Sequence, residues 1–279
     1  TMATSTAHVF DWVAEGIIDD TQARAIIAHE QQRAPGSRTS FVVEALIYLG
    51  AALAVLAVTA IVGDSWRELG TAGQLAVIGV VGSAFLVIGA ALRRRPTPVL
   101  TRLTSVLWAL ATGLIAGWVG MFSDRVAGLE GAEVLVVAAF AGFVVALVLY
   151  GLSQRVLQQV VLAIATCGLT AAILDLLGLF EHGVTALGLT WWCVGVVWLI
   201  LATMGRIPPR ATAFVLACVV ILLAPAFLIE PFSWGEFFAV GCAIGLIVLG
   251  VFLRQLILLA FGGIGVFIYV PVALFSTFG

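Results

Sequence analysis

Lysine is absent from this chain, charge of either sign is scarce, and the residues that most often carry chemistry are few and scattered. All 13 basic residues are arginine, which fits a GC-rich bacterial genome. Charged residues make up 10% of the chain, against roughly 25% in a soluble domain, and that scarcity excludes a soluble globular protein. A net charge of −2, with no basic stripe interleaved with exposed aromatics, argues against a nucleic-acid partner. Cys167, Cys193, Cys218 and Cys242 all fall in apolar segments with no CxxC pair, so they are expected to be small core fillers rather than disulfide partners or metal ligands. His8, His29 and His182 are too dispersed for a metal triad. There is no Gly-rich phosphate loop ending in lysine, no HExxH and no Gly-x-Ser-x-Gly. The expectation is a protein without catalytic residues, cofactor or metal.

What the chain has instead is apolar sequence. Hydrophobic residues make up 62% and the mean hydropathy is +1.19. Apolar runs of about 20 residues, each able to cross a hydrocarbon core of about 30 Å, recur along nearly the whole length. They predict an all-α polytopic bundle of nine spans near residues 41 to 62, 74 to 92, 103 to 122, 134 to 152, 160 to 180, 184 to 204, 211 to 229, 237 to 253 and 256 to 275. Only Arg254 and Gln255 separate the last two, yet together these are too long for one crossing, which predicts a tight hairpin.

Residues 1–40 form a separate polar region, and 41–279 the bundle. Met2 follows a single threonine and is expected to be the native start; no secretory signal pattern follows it. A helix from about Ala7 to Glu15 should stop at Gly16. A second should begin at Asp19, where Gln22 three residues on completes a capping box and Ala23, Ile26 and Ile27 form an apolar stripe. The pair reads as a cytoplasmic helical hairpin, joined to the bilayer through Pro35, Gly36 and Ser37.

With the N-terminus inside, eleven arginines (24, 33, 38, 93, 94, 95, 102, 155, 206, 210 and 254) face the cytoplasm and two, Arg67 and Arg125, face outward. This satisfies the positive-inside bias and places the C-terminus outside, in the inner membrane of a bacterium. Trp66, Trp118, Trp191, Trp192 and Trp234 fall near outer span ends and read as interfacial anchors. Gly50 with Ala54, Gly113 with Gly117, and Gly241 with Gly245 have helix-contact spacing, mainly for packing within the chain and otherwise for a homo-oligomer. Pro225 and Pro271 should kink or interrupt the seventh and ninth spans.

An ionisable group inside a span is a functional candidate by default, because charge in the bilayer costs several kcal/mol. Asp175 is expected a turn or more below the outer end of the fifth span, on a face shared with Gly168, Ala171, Ala172 and Gly178 that should look into the bundle. A carboxylate there can bind a proton or a cationic group, whereas a merely structural role would have it reach the interface or cap a neighbouring helix. Glu44, in the first turn of the first span, is the second candidate, though it also complements the positive end of the helix macrodipole. Two functions fit: a transporter or lipid-handling protein for an apolar or amphipathic substrate, or a non-catalytic accessory subunit docking through its Gly-rich faces and the hairpin.

Trp12-Val13-Ala14-Glu15-Gly16-Ile17-Ile18 followed by Gln22-Ala23, and then Leu49-Gly50-Ala51-Ala52-Leu53 with Trp66 at the first outer turn, resembles a widespread family of bacterial predicted membrane proteins catalogued as a domain of unknown function, number twenty-one fifty-seven. The resemblance covers mainly the first hundred residues. Members usually carry an Ala-Asn-Trp-like turn where this chain has Gly63-Asp64-Ser65-Trp66. The resemblance implies a topology and no activity.

Overall fold

The computed structural model describes residues 9, 12–33, 63, 66, 68–94, 98–179, 184–229 and 234–278. It divides into two units, residues 1–68 and 69–279. The span expected at 41 to 62, the Gly50 and Ala54 pair and Glu44 lie outside the described residues.

In the first unit a helical turn at residues 12–14 ends where Gly16 takes φ +70. The Gly16 N–H donates to Val13 O at 3.1 Å and the Ile17 N–H to Trp12 O at 2.9 Å, the paired bonds of a glycine-terminated helix end. Helix α1 (Asp20–Arg33) then starts behind a capping box. The Gln22 N–H donates to Asp19 Oδ1 at 2.7 Å and the Asp19 N–H to Gln22 Oε1 at 3.2 Å, so two of the helix's free donors are satisfied reciprocally.

The second unit is helical throughout, with no strand among the described residues: α2 (Gly70–Leu92), α3 (Pro98–Arg125), α4 (Ala132–Ser153), α5 (Val156–Leu176), α6 (Thr185–Thr203), α7 (Arg210–Leu223), α8 (Gly235–Leu253) and α9 (Leu256–Phe278). Eight stretches are long and apolar enough to cross a membrane, the sixth being α7 with the turn that follows it. Helix is the form such sequence must take, because hydrocarbon offers backbone groups no partner outside the segment itself. Side chains as large as Phe252, Phe267 and Phe275 stand about 80% exposed on the outside of the unit, an arrangement suited to lipid and costly in water. This is a multi-pass membrane protein.

Local backbone chemistry sets the turns. Gln154 at φ +34 ends α4 and Arg155 in extended conformation begins α5. Arg254 at φ +51 turns α8 into α9, which makes the expected last hairpin two separate helices. Pro225, which lacks an N–H, ends the α-helical part of the seventh span in a 3₁₀ turn, Ala224–Phe227. Pro271 does not interrupt α9, which runs on to Phe278.

Small residues let neighbouring helices approach closely. A Cβ on Gly89 of α2 would lie 2.5 Å from Trp108 Cδ1, and one on Gly79 would lie 3.1 Å from Trp118 Nε1, so two indoles of α3 sit in two glycine notches of α2. Gly120 faces Ala138 and Gly142 faces Ala116 between α3 and α4. Gly188 and Gly195 of α6 lie against the carbonyls of Ala224 and Ala217. Gly262 and Gly265 of α9 lie against Ala243 of α8. Two of the three pairs singled out in the sequence are not used this way: Gly113, Gly117, Gly241 and Gly245 are exposed, and a Cβ on any of them would meet nothing within 4 Å. The buried core draws Tyr150, Leu162, Ala163, Trp198, Phe214, Cys218, Leu246 and Leu258 from α4 to α9.

Candidate functional site

Asp175 is the penultimate residue of α5, which ends at Leu176 and is followed by Gly178 at φ +68. It therefore sits in the last helical turn and not deeper, as its place in the apolar run suggests. Among the described helices its face does not look into the bundle interior either. With Gly168, Ala171 and Ala172 it lines an open groove of about 390 Å³ whose other wall is Leu135 and Ala139 of α4. Gly168 and Leu135 are exposed, Asp175 and Ala171 are half-buried, and Ala172 is buried at the base.

The Asp175 carboxylate has no hydrogen-bond or ion-pair partner among the described residues, so it caps no neighbouring described helix. It lies at the negative end of the α5 macrodipole, where a carboxylate is unfavourable, and helix stability gives no reason for its presence. Its end of the bundle is acidic. Glu133 lies in the first turn of α4 and Glu236 in that of α8, and the Arg125 guanidinium is held by the adjacent Asp124 at 2.9 Å. The arginines gather at the opposite end, with Arg93 and Arg94 after α2, Arg155 before α5, Arg206 and Arg210 between α6 and α7, and Arg254 after α8.

That opposite end holds polar groups that the hydropathy pattern does not single out. Gln158 and Gln159, in the first turn of α5, are 3% and 0% exposed. Gln158 Nε2 donates to Ser105 O on α3 at 3.1 Å, while its Oε1 and both amide atoms of Gln159 have no partner among the described residues. Two adjacent glutamines just after Arg155 are the available signal; their polarity suggests that they precede the span, when they belong to it. The buried Thr104 and Ser105 return their hydroxyl protons to Leu100 O and Thr101 O of their own helix, as membrane Ser and Thr commonly do.

The tryptophans also join helices to one another. Trp118 Nε1 donates to Leu75 O at 2.9 Å and Trp191 Nε1 to Cys167 O at 3.2 Å, so both fasten one helix to the next. Trp192 is partly buried against the core, and Trp234 is exposed at the start of α8. Two further open grooves are almost wholly apolar. One, of about 430 Å³, lies between α2 and α3 beside Gly79 and Trp118; the other, of about 360 Å³, runs past Trp192, Phe238, Gly241 and Gly245. Among the described residues no three His, Cys, Asp or Glu side chains come together as metal ligands.

No curated protein and no solved structure matches the chain. A family model described as "Predicted membrane protein (DUF2157)" matches residues 10–149, from before the Gly16 helix stop through the Gly79, Gly89, Trp108 and Trp118 packing of α2 and α3 to Leu149 in the last part of α4. That match takes in half of the 279 residues, and with it the chain belongs to the family of predicted membrane proteins designated DUF2157, whose function is unknown.

Proposed function

We propose that this protein handles lipids or another amphipathic substrate in the bacterial inner membrane, without enzymatic chemistry of its own. The supporting observation is the groove between α4 and α5: small residues leave room for an apolar chain, and the Asp175 carboxylate, without a partner among the described residues, stands at the groove's end at a helix terminus. A headgroup amine or hydroxyl would supply the hydrogen bonds the carboxylate lacks. A hydrogen bond to a charged group contributes about 1.5–3 kcal/mol, so Asp175→Asn should weaken binding roughly 10- to 100-fold. Native mass spectrometry of protein extracted in mild detergent reads this directly. Wild type should retain a small molecule that Asp175→Asn, and independently the groove-filling Ala171→Leu, lose while staying folded. Equal retention in all three would overturn the assignment.

A second reading, an accessory subunit or homo-oligomer, is favoured by the outward-facing Gly241 and Gly245 on α8 and Gly113 and Gly117 on α3. Such faces in membrane helices admit a partner helix at close range. The double substitution Gly241→Leu with Gly245→Leu should abolish cross-linking of the protein to itself or to a co-purifying subunit in native membranes, with the fold kept because neither position touches another described helix. Deleting residues 2 to 34 should release a partner held by the N-terminal region.

A further inference from the structure

The end of the bundle where α3 and α5 begin and α4 and α6 end contains a layer of polar groups sealed from outside. Gln158, Gln159 and Trp198 are 3%, 0% and 8% exposed, and Gln158 Oε1, Gln159 Nε2, Gln159 Oε1 and Trp198 Nε1 have no hydrogen-bond partner among the described residues. Two donors and two acceptors are thus left unpaired in one region, where burial of an unpaired amide is strongly unfavourable. A void beside Gln158, bounded by Trp108, Thr112, Leu149 and Val161, is too narrow to take a water molecule, so the closed packing offers Gln158 no substitute partner there. Leucine or methionine would fill such positions at no polar cost. The glutamines make physical sense if the layer is wet in another arrangement of the same helices.

The seal is also slight. Across it run Arg155 Nη1 to Thr101 O at 2.7 Å, Gln158 Nε2 to Ser105 O at 3.1 Å, and Tyr150 Oη, on α4, to Pro208 O in the α6–α7 connection at 2.6 Å. The connection before α5 is only Gln154 and Arg155, and Gln154 holds φ +34, a conformation that residues with a Cβ seldom adopt. We propose that the Arg-rich end of the bundle opens by movement of the first turn of α5 away from α3 and α6, so that Gln158, Gln159 and the Trp198 indole line a water-filled vestibule, with the closed form as one of two states. The opening is independent of the Asp175 groove, which lies at the other end of α5.

Cysteine labelling tests it. Full-length variants in membrane fragments open on both faces are treated with a membrane-impermeant maleimide, and peptide mass spectrometry reads modification at each position separately from the native cysteines. If the open state is populated at about 0.1–10%, Gln158→Cys, which leaves the Gln159 amide in place, reacts at roughly one-thousandth to one-tenth the rate of Arg206→Cys, an exposed position at the same end. Adding Tyr150→Phe removes one clasp and raises the rate roughly 2- to 10-fold. Ala163→Cys, deeper along α5, stays unmodified. Ser105→Cys, on α3 opposite Gln158, repeats the test should Gln158→Cys fail to run as the wild-type species on size exclusion. The proposal is overturned if position 158 is silent in both backgrounds while position 206 is fully labelled, if position 163 reacts equally, or if Tyr150→Phe changes nothing.

Discussion

Gly262→Ala and Gly263→Ala, one residue apart on α9, are expected to move stability in opposite directions. A Cβ on Gly262 would stand 2.6 Å from Ile247 Cγ1, 2.8 Å from Ala243 O and 2.9 Å from Ile247 N. Two of those atoms are backbone of α8 and cannot rotate aside, so the hairpin must part along its length. Overpacking of this kind costs about 1–3 kcal/mol, here with loss of contacts that begin with the buried Leu246 and Leu258. A Cβ on Gly263 meets nothing within 4 Å, and alanine is the better helix former by about 1 kcal/mol, so that change should be neutral or stabilising. Thermal unfolding in detergent, followed by fluorescence-detected size exclusion, should place Gly262→Ala several degrees below wild type and Gly263→Ala level with or above it. Equal melting of the two would mean that α8 and α9 do not pack at Gly262.

Much of the helical layout is legible in the amino-acid sequence, because hydropathy alone decides how many times such a chain can cross a bilayer. The last hairpin is readable from two polar residues, and Arg254 at φ +51 is the physical form of that signal. Which glycines face a neighbour is not legible. Spacing of four marks Gly241 and Gly245 as strongly as any pair, yet contact depends on how α8 is rotated relative to α9. The close approaches fall instead at Gly250, Gly262 and Gly265, which no fixed spacing singles out.

At the candidate site, hydropathy misleads for one reason at two places. Reading the fifth span as 160 to 180 treats Gln158 and Gln159 as loop and the residues after Leu176, from Leu177 to Leu179, as membrane. The helix is Val156–Leu176, four residues earlier at both ends. Its limits are set by backbone conformation, Gln154 left-handed and Arg155 extended at the start and Gly178 left-handed after the end, and not by side-chain polarity. The same four-residue slip hides two buried amides and places Asp175 too deep.

Gln159→Met is accordingly expected to make the protein more stable, the reverse of most core substitutions. The side chain is fully buried and neither amide atom is bonded among the described residues, while methionine is unbranched, similar in volume and free of polar groups to leave unpaired. Relieving an unpaired buried amide gains about 1–3 kcal/mol on the scale of protein substitutions, and at about 2–4 °C per kcal/mol the apparent Tm should rise by roughly 2–12 °C. A fall in Tm would show that the amide is satisfied in the folded protein, by water or by a partner. Gained stability belongs to the closed form alone, because a methionine exposed in a wet vestibule recovers none of it. Labelling of Gln158→Cys should then drop roughly tenfold or more in the Gln159→Met background, since about 1.4 kcal/mol corresponds to one factor of ten. A rise in Tm with unchanged labelling would separate the two ideas: the glutamine would be a burden on the closed packing, and the opening would have to occur elsewhere along α5.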